Sequence, residues 1–205
     1  MLSVHAMSRG DQRYYLELTN INYYVEGGEP EGRWWGACRK EFDLFGKVEK
    51  EHLSRLCEGL SHTDADERLV RNAGKESRRP GFDLTYSCPK SVSSIWAMGP
   101  EELRAAIQRV TLRAVLKSLT YLEDACGWAR TGAQGQVIQK APLLFALFEH
   151  GMSRALDPQL HVHALCMNIC VRADGTTGTI RSRDLYQHKM AAGAVFRTEL
   201  AYLLL

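Results

Sequence analysis

Two stretches of this chain leave few options for their place in a fold. Residues 141–150, APLLFALFEH, and residues 160–171, LHVHALCMNICV, are apolar on both faces, so each reads as a central strand. Between them GMSRALDPQL is long enough to finish one strand, turn at Asp157-Pro158 and return. This hairpin carries His150 on its first arm and His161 and His163, two apart, on its second. Residues two apart on a strand share a face. His161 and His163 therefore project side by side, on the face continued by Leu165, Met167 and Ile169. If the arms pair, His150 comes across from the neighbouring strand and three imidazoles converge. Burying three rings costs desolvation at each, and packing alone does not select them. The bland alternative is a set of hydrogen-bonded core histidines. Three neutral imidazoles with open remaining positions make a catalytic divalent-metal site, although imidazole suits several ions.

The rest of the chain supplies a sheet and its cover. FDLTYSC alternates: Phe82, Leu84, Tyr86 and Cys88 face one way, Asp83, Thr85 and Ser87 the other. Residues 1–7 read as a short strand, 29–47 as loop-rich and 62–81 as a polar surface loop. EKEHLSRLCEGL puts Leu53, Leu56, Cys57 and Leu60 on one helical face, and PKSVSSIWAM starts a helix with Pro89 near its first turn. Residues 100–125 form the clearest helix, with a stripe of Leu112, Val115, Leu116, Leu119 and Leu122. RADGTTG is a hairpin signal, and Ser182 is placed to cap a final helix. The fold class is α+β: a central antiparallel β-sheet with helices packed on it.

Composition narrows the partners. The 205 residues suit one domain, and their formal net charge is only +2, so a nucleic-acid partner must be met by a local patch. No run is long enough to span a membrane, and MLSVHAMSRGDQ lacks a signal-peptide core. Six scattered cysteines without a C-x-x-C pair read as reduced thiols of a cytosolic protein, with Cys166 and Cys170 packed in an apolar strand.

Asp83 admits three readings: a solvent-facing strand residue, an acceptor that orients a ligand histidine, or a base that takes a proton from a nucleophile. Paired tyrosines occur at Tyr14-Tyr15, on a helix, and Tyr23-Tyr24, at or beyond its end. Their ordinary role is packing. With metal or base assistance a tyrosine can instead attack phosphorus and hold a phosphoryl group. Trp34 and Trp35 are core residues or base-stacking platforms.

Taken together, MLS, YY…YY, RPGFDLTYSCPKSVS and HGMSRALDPQLHVHA, in that order along the chain, resemble the conjugative relaxases of the relaxase-helicase (MobF) type. These belong to the histidine-hydrophobe-histidine (HUH) endonuclease superfamily. The resemblance implies site- and strand-specific nicking and strand transfer at a plasmid origin of transfer, through a covalent 5′-phosphotyrosine. It places the first nucleophile at Tyr14, with Tyr15 as alternative, and the second at Tyr23, with Tyr24 as alternative. It implies metal ligands His150, His161 and His163 for one divalent ion, Mg²⁺ or Mn²⁺ first, with Asp83 as the supporting acid. Arg154 matches a basic position of the motif and is a candidate phosphate contact. The loop ERLVRNAGKESRRPG offers Arg68, Arg71, Lys75, Arg78 and Arg79 as a patch tracking the DNA backbone.

The implied partners are single-stranded DNA of an origin of transfer, relaxosome proteins and a type IV secretion coupling protein, in the bacterial cytoplasm. Two departures from the family pattern stand out. The gap between tyrosine pairs is somewhat long, and the chain stops in an apolar helix at LAYLLL with no G-x-x-x-x-G-K-[ST] phosphate loop. The expectation is one relaxase domain over residues 1–205, shortened at its C-terminus, without a helicase. The competing functions are a metallohydrolase using water as nucleophile and a catalytically impaired module that binds DNA or the relaxosome.

Overall fold

The two apolar runs form neighbouring inner strands of a five-stranded antiparallel sheet in the computed structural model, which describes residues 1–13, 31–64, 66–132, 135–153, 155 and 157–205. Across the sheet the order is β1 (Leu2–Ala6), β3 (Gly81–Ser87), β7 (Pro158–Met167), β6 (Phe145–Met152) and β2 (Arg33–Trp35). Each pairing is antiparallel. β7 is the central strand, which is why its sequence has no solvent face. Two small ribbons, β4 (Trp128–Thr131) with β5 (Val137–Lys140) and β8 (Cys170–Val171) with β9 (Thr177–Gly178), lie outside this sheet.

Alternation along the strands builds two cores. Phe82, Leu84 and Tyr86 of β3, Phe145 and Leu147 of β6, and Val162, Ala164 and Cys166 of β7 face the helices. That side is covered by α2 (Lys90–Met98), α3 (Glu101–Cys126) and α4 (Arg183–Leu203). The other side joins Ala146, Phe148, Leu165 and Met167 to Trp34, Leu44, Val70 and the Leu53, Leu56 and Cys57 stripe of α1 (Lys50–Glu58).

Several expectations need correction. The loop-rich segment 29–47 contains β2 and a 3₁₀ turn at Ala37–Lys40. The segment 62–81 is not a surface loop throughout, because Leu69, Val70, Ala73 and Arg78 are buried. Leu60 lies past the end of α1 and forms an isolated bridge with Arg68. The buried stripe of α3 is rotated from the predicted one: Thr111, Ala114 and Ser118 are buried, whereas Leu112 and Leu116 are only partly so. The reason is close approach of α4. Ser118 Oγ donates to the Ala192 carbonyl at 2.7 Å and lies 3.0 Å from the Tyr86 hydroxyl, a contact that larger side chains would prevent. Ser182 precedes α4 but makes no capping bond, since its backbone is already helical. Cys170 sits on β8, so it does not share a strand with Cys166.

Candidate metal centre

The register of the central strands brings the histidines together. His150 of β6 stands directly opposite His161 of β7, and His163 lies between Thr85 of β3 and Phe148 of β6. The ring centroids are 5.3 Å apart for His150–His161 and 5.0 Å apart for each of the other two pairs. One ligand atom from each ring lies within 4.8 Å of the others. The predicted convergence is therefore observed, and no ring belongs to a separate packing environment.

Local sequence explains how the hairpin is held. The β6–β7 register shifts between His150 and Met152, at Gly151. A Cβ at Gly151 would sit 2.3 Å from Trp96 Cη2, so only glycine lets α2 press against the strand beside His150. The start of β7 is fastened by the PKSVS stretch. Lys90 Nζ donates to the Pro158 carbonyl at 2.9 Å, Ser93 Oγ accepts from the Leu160 amide at 3.0 Å, and the Cys88 amide donates to the Leu160 carbonyl at 3.0 Å.

Hydrogen bonds fix the donor state of two rings. Both Asp83 oxygens lie 2.9 Å from His163 Nδ1, and Asp83 is 7% exposed. A carboxylate only accepts, so Nδ1 carries the hydrogen. His161 Nδ1 is 2.7 Å from the Gln159 carbonyl, with the same consequence. Asp83 is thus not a solvent-facing residue; its carboxylate stands directly behind His163.

Burial favours the neutral form of His150 and of His161. It pushes His150 down to about 3, helped by the facing His163 and His161. Burial also lowers His161, against the opposing effect of the Gln159 carbonyl. Neutral nitrogen donors with tautomers set from behind are what a divalent cation requires, so these residues fit a metal ion.

Other expected site residues fall elsewhere. Tyr14, Tyr15, Tyr23, Tyr24 and Arg154 lie outside the described residues. Arg78 departs from the expected backbone-contacting role. It is 5% exposed, and its Nε and Nη2 donate to the Cys57 and Leu56 carbonyls at 2.7 and 3.3 Å. Its donors close the end of α1, and burial lowers its pKa. Arg79 and Lys75 are exposed. Trp34 is buried, and Trp35 packs on Phe145 with centroids 5.7 Å apart, so both tryptophans serve the core.

Two features escaped the sequence reading. Thr85 joins the Asp83–His163 pair, with Oγ1 3.2 Å from Asp83 Oδ2. A groove of about 420 Å³ is lined by Arg71, Arg130 and Arg172, together with Asn72, Thr131 and Thr177. Its three arginines come from segments far apart in the chain, so no motif announces them.

Known proteins resemble this chain in sequence and fold. The Multifunctional conjugation protein TraI of Escherichia coli (strain K12) is 32% identical over 197 residues, covering 91% of this chain and 11% of that relative. The chain thus spans about a tenth of the length of the curated relatives it matches. Two solved structures of conjugative relaxase TrwC in complex with oriT DNA, one copper-bound and one metal-bound, match over the whole chain at 32% identity. Their TM-scores are 0.83 and 0.82, and the match covers 70% and 69% of those chains. The family model described as TrwC relaxase matches residues 8–205, and with the fold shared over the whole chain, the chain belongs to the TrwC relaxase family.

Proposed function

We propose that residues 1–205 act as one relaxase unit that nicks single-stranded DNA at an origin of transfer and passes the cut strand on through a covalent tyrosine intermediate. The observation that carries this reading is the convergence of His150, His161 and His163 with Asp83 behind His163. A divalent ion, Mg²⁺ or Mn²⁺, would be held by the three imidazoles and would supply positive charge against a non-bridging oxygen of the scissile phosphate. Neutral ligands leave that charge undiluted. The strands on which the rings sit are packed on both faces, so the ligands are pre-positioned.

The nucleophile is Tyr14, with Tyr15 as its alternative. Its phenolic oxygen forms a bond to phosphorus as the bond from phosphorus to the 3′ oxygen breaks. The phenolic proton leaves to a base, and the departing 3′ oxygen ends as a hydroxyl. Asp83 serves this step by holding His163, and its carboxylate is the candidate acceptor of the phenolic proton. Tyr23, or Tyr24, performs the second transfer.

Arg154, Arg79 and Lys75 contact the DNA backbone, and the groove of Arg71, Arg130 and Arg172 adds a phosphate-binding surface. The solved TrwC structures are complexes with oriT DNA, which supports the same class of partner here. Relaxosome proteins and a type IV secretion coupling protein complete the proposed partners, in the bacterial cytoplasm. Among the described residues no helix is long and apolar enough to cross a membrane.

The test uses oligonucleotides from the neighbouring transfer origin with Mg²⁺ or Mn²⁺, resolved on a denaturing protein gel. A DNA-linked, slower band that disappears in Tyr14→Phe and with EDTA is the expected result. Cleavage without a protein-linked product would instead make water the nucleophile. Binding without cleavage would leave a DNA-binding module.

A further inference from the structure

We propose that Thr85 is a positioning residue of the metal centre, its hydroxyl holding the Asp83 carboxylate against His163. This rests on the metal-centre reading above.

Asp83 offers two oxygens to one N–H, each 2.9 Å from His163 Nδ1. A carboxylate turns readily about its last torsion, which has broad minima, so two equal acceptors do not by themselves fix its rotation. Thr85 Oγ1 donates to Oδ2 at 3.2 Å and also lies 3.3 Å from His163 Nδ1. One hydroxyl thus touches both members of the pair. The register explains this contact. Thr85 is the direct antiparallel partner of His163, and Asp83 precedes it by two on the same strand face. Thr85 is partly exposed, and its side chain is not needed to fill the core. A valine would satisfy the strand equally well. The hydroxyl is therefore the informative part of this residue: it holds the Asp83 carboxylate in place behind His163 Nδ1.

The test is calorimetric titration of the metal-free full chain with Mn²⁺ and, separately, Ni²⁺, for which imidazole has higher affinity. Thr85→Val and Thr85→Ala are expected to bind about 3- to 10-fold more weakly, near the lower end of the range for loss of an outer partner. Thr85→Ser, which restores the hydroxyl, is expected to bind within about 2-fold of the parent. Thermal midpoints of the metal-free proteins separate this from general damage: Val should unfold at the parent's temperature. The proposal is overturned if Val and Ala bind as the parent does, or if Ser binds as weakly as Val. If the parent binds neither ion, the metal-centre reading falls and this proposal falls with it, a result distinct from equal binding by parent and variants.

Discussion

Neighbouring residues of β7 meet opposite surroundings. Val162, Ala164 and Cys166 are fully enclosed beneath α2, α3 and α4. Leu165 and Met167 are equally enclosed on the other face, but there the cover includes Met7, Trp34, Leu44, the α1 stripe, Leu69 and Val70. Among the described residues that cover ends at Phe148 and Leu165, and the next side chains are the three imidazoles. His163 is 9% exposed and His150 3%, so the rings line the edge of a core and are not displayed on a surface. One strand can therefore hold a sealed apolar face and a ligand set. Polar rings are tolerable where packing stops, and packing on the opposite face holds them in register.

The largest expected effects separate the two faces. Replacing Phe196, fully buried against Tyr86 on the helical side, by alanine should cost about 3–5 kcal/mol in denaturant unfolding. Metal affinity of the folded fraction should stay within about 2-fold, because no ligand or ligand partner is touched. His161→Ala should do the reverse. Calorimetric metal binding should drop by roughly 100-fold or more, with a smaller stability change, since the ring is only partly buried. If both variants lost stability and metal affinity in the same proportion, the division of labour between faces would be wrong.

A second variant joins the faces where they should be coupled. Gly151→Ala brings a methyl group within 2.3 Å of the Trp96 ring edge, an overlap that one side must relieve by moving. Overpacking of this kind costs about 1–3 kcal/mol. Because Gly151 adjoins His150, metal affinity should fall together with stability, and Trp96→Leu should restore part of both. Full affinity in a destabilised Gly151→Ala protein would show that α2 supports the sheet without setting the ligand.

The histidine face gives the metal-free protein a pH dependence of its own. Burial holds His150 near 3 and lowers His161, whereas both take up protons near 6.5 in the unfolded chain. Below pH 6.5 the unfolded state binds more protons, so unfolding becomes easier as pH falls toward 3. The contribution is complete above 6.5 and lost at up to about 1.4 kcal/mol per pH unit for each such group. Urea unfolding in EDTA between pH 4 and 8 measures the slope. His150→Gln, which does not titrate, should flatten it, while Phe196→Ala should shift the curve without changing its slope. Parallel curves for His150→Gln and parent would mean that the ring is protonated in the folded state.

What was legible in the sequence follows the same division. The hairpin of β6 and β7, the alternation of β3 and the helix α3 were readable because each carries a period or an apolar run of its own. The triad was readable because strand geometry converts spacing into direction. β2 was not, since the three residues Arg33–Trp35 are too few to show a period. Thr85 was visible only as one member of a polar face. Its role emerges from pairing with His163, a residue 78 positions away. The interior placement of Arg78 was hidden for a related reason, because the carbonyls it reaches belong to α1, and composition alone cannot tell a structural arginine from a phosphate-binding one.

Neighbouring arginines supply the smallest and most discriminating test. Arg78→Ala removes donors from the buried Leu56 and Cys57 carbonyls and should cost about 2 kcal/mol of stability, the usual penalty for stranded polar groups. Its metal affinity should not change, and the slope of DNA affinity against salt should match the parent's. Arg79 is exposed, with its guanidinium 6.0 Å above the Phe82 ring. Arg79→Ala should leave the unfolding curve within about 0.5 kcal/mol of the parent. If Arg79 contacts a phosphate, its loss should weaken binding of single-stranded DNA and reduce the dependence of log affinity on log salt by a little under one unit. Fluorescence anisotropy at several salt concentrations reads both quantities. An unchanged slope in Arg79→Ala would remove this arginine from the DNA surface. A reduced slope in Arg78→Ala would mean that the loop opens to release its buried arginine when DNA binds.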